Sequence, residues 1–395
     1  MTDAPAIQRV SLATIIREWG RIGVTGFGGP PAHIALLRKL CVEKNAWMDA
    51  AEFEDAIAAT NLLPGPASTQ LAIFCAWRLR GWLGAILGGI CFIVPGLVLI
   101  VLLSALFLAA HPPLWIVGAA AGAGAAVPAI AVKAGIGLVP ASWRRAGERR
   151  RARVRWIVFV VVGVAAGALV GAWLVVVLIV MGLIEIIVQR DWHRNPPRAA
   201  ASVVIPFLLP IGALGGFAGL AALAWVALKV GALSYGGGFV IIPLMQHDAV
   251  VTYGWMTNTQ FLDAVALGQV TPGPVVLTVA AVGYAAAGLG GALLAALIAF
   301  APSFVFVLAG ARSFNRIRTN RTIQAFLTGA GATVVGAILG SAIPLGLAIA
   351  QLWQLGVLVL AVIWLLALRR GVVVAIIGAA VLGVVAALVG LPLPH

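Results

Sequence analysis

Long apolar runs dominate this chain, and none of them alternates. "GAILGGICFIVPGLVLIVLLSALFLAA" (84–110) is typical. Membrane β-strands need alternation with a period of two, so the pattern predicts α-helices and excludes a barrel. Helices are expected at 82–110, 114–140, 156–171 and 172–189, and again at 289–311, 322–348, 351–368 and 371–390. A further helix at about 200–217 would join the two sets. The stretch 156–189 reads as two short helices or one long tilted one; basic loops at both of its ends favour two.

Other apolar segments are interrupted. Residues 8–42 contain "GFGGPP", 52–77 contain "NLLPGP", 219–251 contain "SYGGGF", and 258–285 contain "QVTPGP". The breaks leave arms of about a dozen residues, roughly 18 Å each, too short to cross a hydrocarbon core of about 30 Å. Each segment is therefore expected to enter the membrane and return as a broken hairpin, since broken backbone at that depth needs protein or a watery cavity around it.

Composition agrees: 62% of the 395 residues are hydrophobic and 10% charged, against roughly 25% charged in soluble domains. Cys41, Cys75 and Cys91 lack metal-binding spacing and read as small apolar residues. The first twenty residues lack the apolar core and cleavage site of a signal peptide, so retention is expected. The net charge of +14 sits in short loops, above all "WRRAGERRRARVRW" (143–156). That is the pattern of cytoplasmic loops meeting anionic lipid, not of a nucleic-acid surface.

The chain is duplicated. A shift of 208 positions places Gly23 on Gly231, Gly28 and Gly29 on Gly236 and Gly237, Trp47 and Met48 on Trp255 and Met256, and Pro64–Pro66 on Pro272–Pro274. After a one-residue deletion, Pro95 meets Pro302, and "GAG" at 122–124 meets "GAG" at 329–331. Loop charge then reverses: the basic loops after Leu37 and around Arg78 have counterparts without Lys or Arg, while uncharged "AAHPPLW" faces "ARSFNRIRTNR". Reversal is what an inverted-topology repeat predicts. The expected architecture is an all-α integral membrane protein, an inverted-topology duplicated transporter with about nine membrane-spanning helices plus four broken or re-entrant helical hairpins. Residues 1–190 form the first repeat, 191–218 a connecting segment with the linker helix, and 219–395 the second repeat.

"FGGP" followed by "NLLPGP", with "YGGGF" and "QVTPGP" downstream, resembles the chromate ion transporter family in its long two-domain form, over most of the chain. The resemblance implies a multi-pass carrier of the bacterial inner membrane that exports chromate, confers resistance and draws on the proton gradient or membrane potential. Sulfate or another tetrahedral oxyanion, or an anion channel of the same architecture, are the alternatives. The N-terminus is expected in the cytoplasm, and a homodimer stays open. No enzyme, cofactor or metal motif is present, so substrate and lipid are the expected partners.

Substrate contacts are expected at the breaks. Pro30, Pro31 and Pro66 suit the first turn of half-helices, whose unpaired N–H groups attract anions. Gly26, Gly28, Gly29, Gly65, Gly236, Gly237 and Gly273 let an oxyanion approach the backbone, beside Phe27 and Tyr235. Asn61, Ser68, Thr69, Gln70, Ser234, Gln269, Thr271 and Thr278 can donate hydrogen bonds. Arg21 and Lys229 lie just before their breaks inside apolar segments and could neutralise a dianion; Arg17 and Lys133 are weaker candidates. Asp55 and Asp263, paired across the repeat, are candidates for proton coupling. His33 and Glu185 read as structural.

Overall fold

The computed structural model describes residues 10–61, 63, 65–109, 112–169, 173–189, 218–234, 241–310 and 320–394. Within them all regular structure is helical. The helices are α1 (Leu12–Thr25), α2 (Pro30–Arg38), α3 (Ala50–Thr60), α4 (Ala67–Phe107), α5 (Leu114–Ala125), α6 (Val127–Ala146), α7 (Arg150–Leu169) and α8 (Leu174–Gln189). The second half continues with α9 (Ala218–Leu233), α10 (Ile241–Gln246), α11 (Asn258–Val270), α12 (Thr278–Gly310), α13 (Arg321–Leu347), α14 (Leu352–Val362) and α15 (Val372–Leu388). The expected linker helix at 200–217 lies outside the described residues.

Among the described residues, five stretches are long and apolar enough to cross a membrane, and four shorter apolar helices accompany them. Exposed Leu102, Val161, Leu297 and Val385 make the outer surface apolar, as a lipid-facing surface must be. Most expected spans fall within a few residues of the observed helices, but the helix expected at 114–140 is divided into α5 and α6, with α6 running on to Ala146, and α7 starts earlier than expected, at Arg150. Residues 156–189 resolve into two helices, α7 and α8. They are tied by Arg155, whose Nε and Nη2 donate to the two carboxylate oxygens of buried Glu185, both at 3.0 Å; Gln189 donates to the same carboxylate at 2.7 Å.

The two long helices α4 and α12 each reverse direction. Arg80 (φ −144°, ψ 22°) and Gly81 (φ 62°, ψ −151°) interrupt α4. Ala287 (φ −152°, ψ 32°) and Gly288 (φ 61°, ψ −151°) interrupt α12 in nearly the same conformation. A Cβ built on Gly88 would lie 2.5 Å from the Ala76 Cβ, although twelve helical residues span about 18 Å. One built on Gly283 would lie 2.5 Å from the Gly291 carbonyl oxygen. The chain therefore folds back on itself, giving short arms at 67–79 and 278–286 and long arms at 82–107 and 289–310. Only glycine reaches φ near +60° without strain, which is why a Gly stands at each reversal.

Smaller details repeat as well. The Trp47 N–H donates to the Cys41 carbonyl at 2.8 Å, and Trp255 to Ala249 at 2.8 Å. Asp49 caps α3 by accepting from the Glu52 N–H, and Thr257 caps α11 in a capping box with Gln260. Gly23 of α1 sits against the Phe92 carbonyl of α4, and Gly231 of α9 against the Ala299 carbonyl of α12. Glycine also brings α7 to α13 (Gly163 and Gly167 against Thr333 and Ala337) and α5 to α15 (Gly118 and Gly122 against Gly383 and Ala379). Lipid offers helices no hydrophobic drive to associate, so close backbone approach through small residues supplies the packing.

Candidate functional site

The first break is held by His33. Gly26 ends α1, and the chain passes through Phe27, Gly28 (φ 99°) and Gly29 (φ 73°) before α2 starts at Pro30. His33, fully buried, has Nε2 2.8 Å from the Gly26 carbonyl and Nδ1 3.2 Å from Ser68 Oγ. A carbonyl can only accept, so Nε2 carries a proton, and in the neutral ring Nδ1 accepts from the Ser68 hydroxyl. The ring stands edge-on to Phe92 at 5.0 Å. The structural expectation for His33 thus gains a specific content: it staples the first break to the second.

The fourth break joins the same place. The Gly273 N–H (φ 95°) donates to the Gly26 carbonyl at 3.1 Å, and a Cβ on Gly29 would touch Val275 at 3.7 Å. Gly96 of α4 lies directly against the Pro272 carbonyl. The repeat partner of Gly96 is Ser303 of α12, whose Oγ lies 3.3 Å from where a Gly65 Cβ would stand. Each PGP break is therefore packed on the long arm of the opposite repeat. Ser303 was missed from sequence; the signal was its register with Gly96 across the repeat.

Three breaks, represented by residues 26–29, Gly65 and residues 271–274, thus converge around Phe92–Gly96 and Ser303. In the other one Ser234 is buried, while Tyr235, Gly236 and Gly237 lie outside the described residues.

Among the described residues, donors without a partner collect at the start of α4. The first helical hydrogen bond there runs from the Gln70 N–H to the Pro66 carbonyl, leaving the amides of Ala67, Ser68 and Thr69 ahead of it. Ser68, Thr69 and Gln70 are buried. The hydroxyls of Thr69 and Ser303, like that of Ser234 and the amide nitrogen of Gln269, have no hydrogen-bond partner among the described residues. Thr271 and Thr278 instead bond back to Gly268 and Val275, the ordinary use of a helical hydroxyl.

α2 is the poorer anion end. Pro30 and Pro31 do occupy its first turn, but neither has an N–H, and the next amide, Ala32, is spent on the Gly29 carbonyl at 3.1 Å. Pro66 stands one position before the helix as its cap, not within the first turn.

Of the candidate cations, Arg17, Arg21 and Lys229 have acids beside them. Buried Lys229 pairs with buried Asp248, and the repeat-related Arg21 pairs with Glu18 at 2.9 Å with its side chain 56% exposed. Arg17 meets Glu18 at 3.3 Å, and Lys133 donates to the Arg370 carbonyl. The matched acids differ: Asp55 is exposed, whereas Asp263 is buried against Gly124 with Oδ1 unpartnered among the described residues. Asn61 is exposed and its counterpart Gln269 buried.

Apolar helices arranged as two homologous units, with broken backbone gathered in the interior, define a multi-pass membrane transporter. The family profile described as chromate transporter matches residues 13–186 and 221–384, one match on each repeat, and the chain belongs to that family. It is 31% identical over 342 residues to a chromate transport protein of Pseudomonas aeruginosa, covering 83% of this chain and 80% of the relative. It is 30% identical over 346 residues to a chromate transport protein of Cupriavidus metallidurans, covering 85% and 82%. A probable chromate transport protein of Synechococcus elongatus is 28% identical over 358 residues, 88% of each chain. No solved structure matches the chain.

Proposed function

We propose that this protein exports chromate, or a closely related tetrahedral oxyanion, from the cytoplasm across the bacterial inner membrane, and so confers resistance. The observation that carries the reading is the junction itself. Breaks from both repeats meet there, bonded through Gly273 and Gly26 and through His33 and Ser68, beside the amides that open α4 and the hydroxyls of Thr69 and Ser303, which have no partner among the described residues. An oxyanion accepts hydrogen bonds only, and this set can donate to it. The names of the relatives supply the choice of chromate.

The mechanism is alternating access between inverted repeats. The reversal of loop charge supports the inversion. The mirrored turns at Gly81 and Gly288 support two units able to exchange conformations. Asp55 and Asp263, equivalent in sequence but unequal in exposure, are the candidates for coupling protons to the movement. The cytoplasmic N-terminus belongs to the same reading.

The test is flux of radiolabelled chromate into proteoliposomes, with sulfate as competitor and imposed pH and voltage gradients. Saturable flux that responds to a gradient supports the carrier. Absence of flux overturns the reading, preference for sulfate reassigns the substrate, and unsaturable, purely electrogenic current turns the carrier into a channel.

A further inference from the structure

A cleft of about 150 Å³ opens where α3 ends against α6 and α13, lined by Asn61, Ser142 and Arg145 on its polar side and by Leu138, Val334 and Val335 on the other. Every polar group there can donate. Asn61 brings an amide and Arg145 a guanidinium; Ser142 already accepts from the Trp156 indole at 2.9 Å, so its own proton is free to point elsewhere. No acid is among the described residues that line the cleft. It lies beside the Arg-rich segment 144–155, whose positive field raises the local concentration of anions. Asn61 is also the C-terminal cap of α3, at the edge of the second break.

The repeat-related place is shut. Gly331 lines the cleft, and its partner Gly124 is covered instead: a Cβ there would meet Asp263 Oδ1 at 2.8 Å and Leu262 at 3.3 Å. α11 thus lies on α5 where α3 stands away from α13. The difference in exposure between Asn61 and Gln269, and between Asp55 and Asp263, follows from this one asymmetry.

We propose that the Asn61–Ser142–Arg145 cleft is the access site at which a tetrahedral oxyanion is first captured from the arginine-rich side, with Arg145 as its charge-bearing ligand, while the equivalent path through the second repeat is closed in this conformation. The proposal rests on the transport reading above. Two measurements test it in proteoliposomes or vesicles of known sidedness. In the first, a functional variant lacking Cys41, Cys75 and Cys91 carries Asn61→Cys or Gln269→Cys and meets a membrane-impermeant thiol reagent from each face. Asn61→Cys is expected to react from the face of the 144–155 loop, and Gln269→Cys to resist. In the second, Arg145→Gln is expected to raise KM for chromate about tenfold with little change in maximal rate, the cost of one charge-assisted hydrogen bond, and Arg145→Lys to recover part of it. Wild-type flux with an unchanged KM in Arg145→Gln, or an Asn61→Cys that no reagent reaches, overturns the proposal and leaves the transport reading standing. Absent wild-type flux overturns the transport reading, while the thiol labelling still reports whether the cleft is open.

Discussion

The backbone N–H of Gly273 donates to the carbonyl of Gly26 at 3.1 Å, joining the second PGP turn to the first break of the other repeat. Gly273 holds φ 95° there, so a side chain would strain the donor that makes the joint. Gly273→Ala is expected to cost about 1–2 kcal/mol and to depress chromate flux more than it depresses thermal stability in detergent. Equal, small effects on both would make the joint a packing detail.

Ser303 allows stability and binding to be separated. Its hydroxyl is fully buried and unpartnered among the described residues, so its removal sacrifices no internal hydrogen bond. Ser303→Ala is expected to leave the melting temperature unchanged or slightly raised, while KM for chromate rises several-fold. A fall in stability with unaltered KM would show that the hydroxyl serves the fold alone.

Arg155 and Glu185 make the opposite case. Glu185 is 3% exposed and accepts from both arms of the guanidinium. Arg155→Ala leaves a buried carboxylate without its counter-charge and is expected to destabilise by about 3 kcal/mol. Arg155→Ala with Glu185→Leu is expected to recover most of that loss, read by thermal unfolding of the purified protein.

Ala46 tests the repeat itself. It takes φ 48° at the position where the second repeat has Gly254, at φ 60°. A left-handed alanine costs about 1 kcal/mol, part of which glycine returns to the flexibility of the unfolded chain. Ala46→Gly is expected to raise stability by about 0.5 kcal/mol with flux unchanged; a drop in the melting temperature would contradict the strain.

The helical class, the duplication and the positions of the three breaks within the described residues were legible in sequence, because each rests on local chemistry. A run of apolar residues makes a helix, and Gly and Pro interrupt it wherever they stand. The short arms after Pro66 and Pro274 were foreseen on length alone, and the reversals at Gly81 and Gly288 account for them.

Partnership was not legible. Arg21 and Lys229 read as cations waiting for an anion, and folding sets Glu18 and Asp248 beside them. Pro30 and Pro31 promised a half-helix rich in free amides, but two prolines leave that end with few, and α4 has more. Ser303 carried no signal of its own, since its place opposite Gly65 depends on α12 crossing the other repeat.

Sequence by itself determined that this is a membrane protein of two homologous halves, each with backbone interrupted at set positions. Tertiary structure decided which interruptions meet, which charges are satisfied within the protein, and which half stands open at Asn61 while the other is closed over Asp263. The physical reason is that repeats with matching sequence have matching local preferences, whereas exposure and pairing depend on how helices far apart in the chain are packed, and two equal halves can be packed unequally.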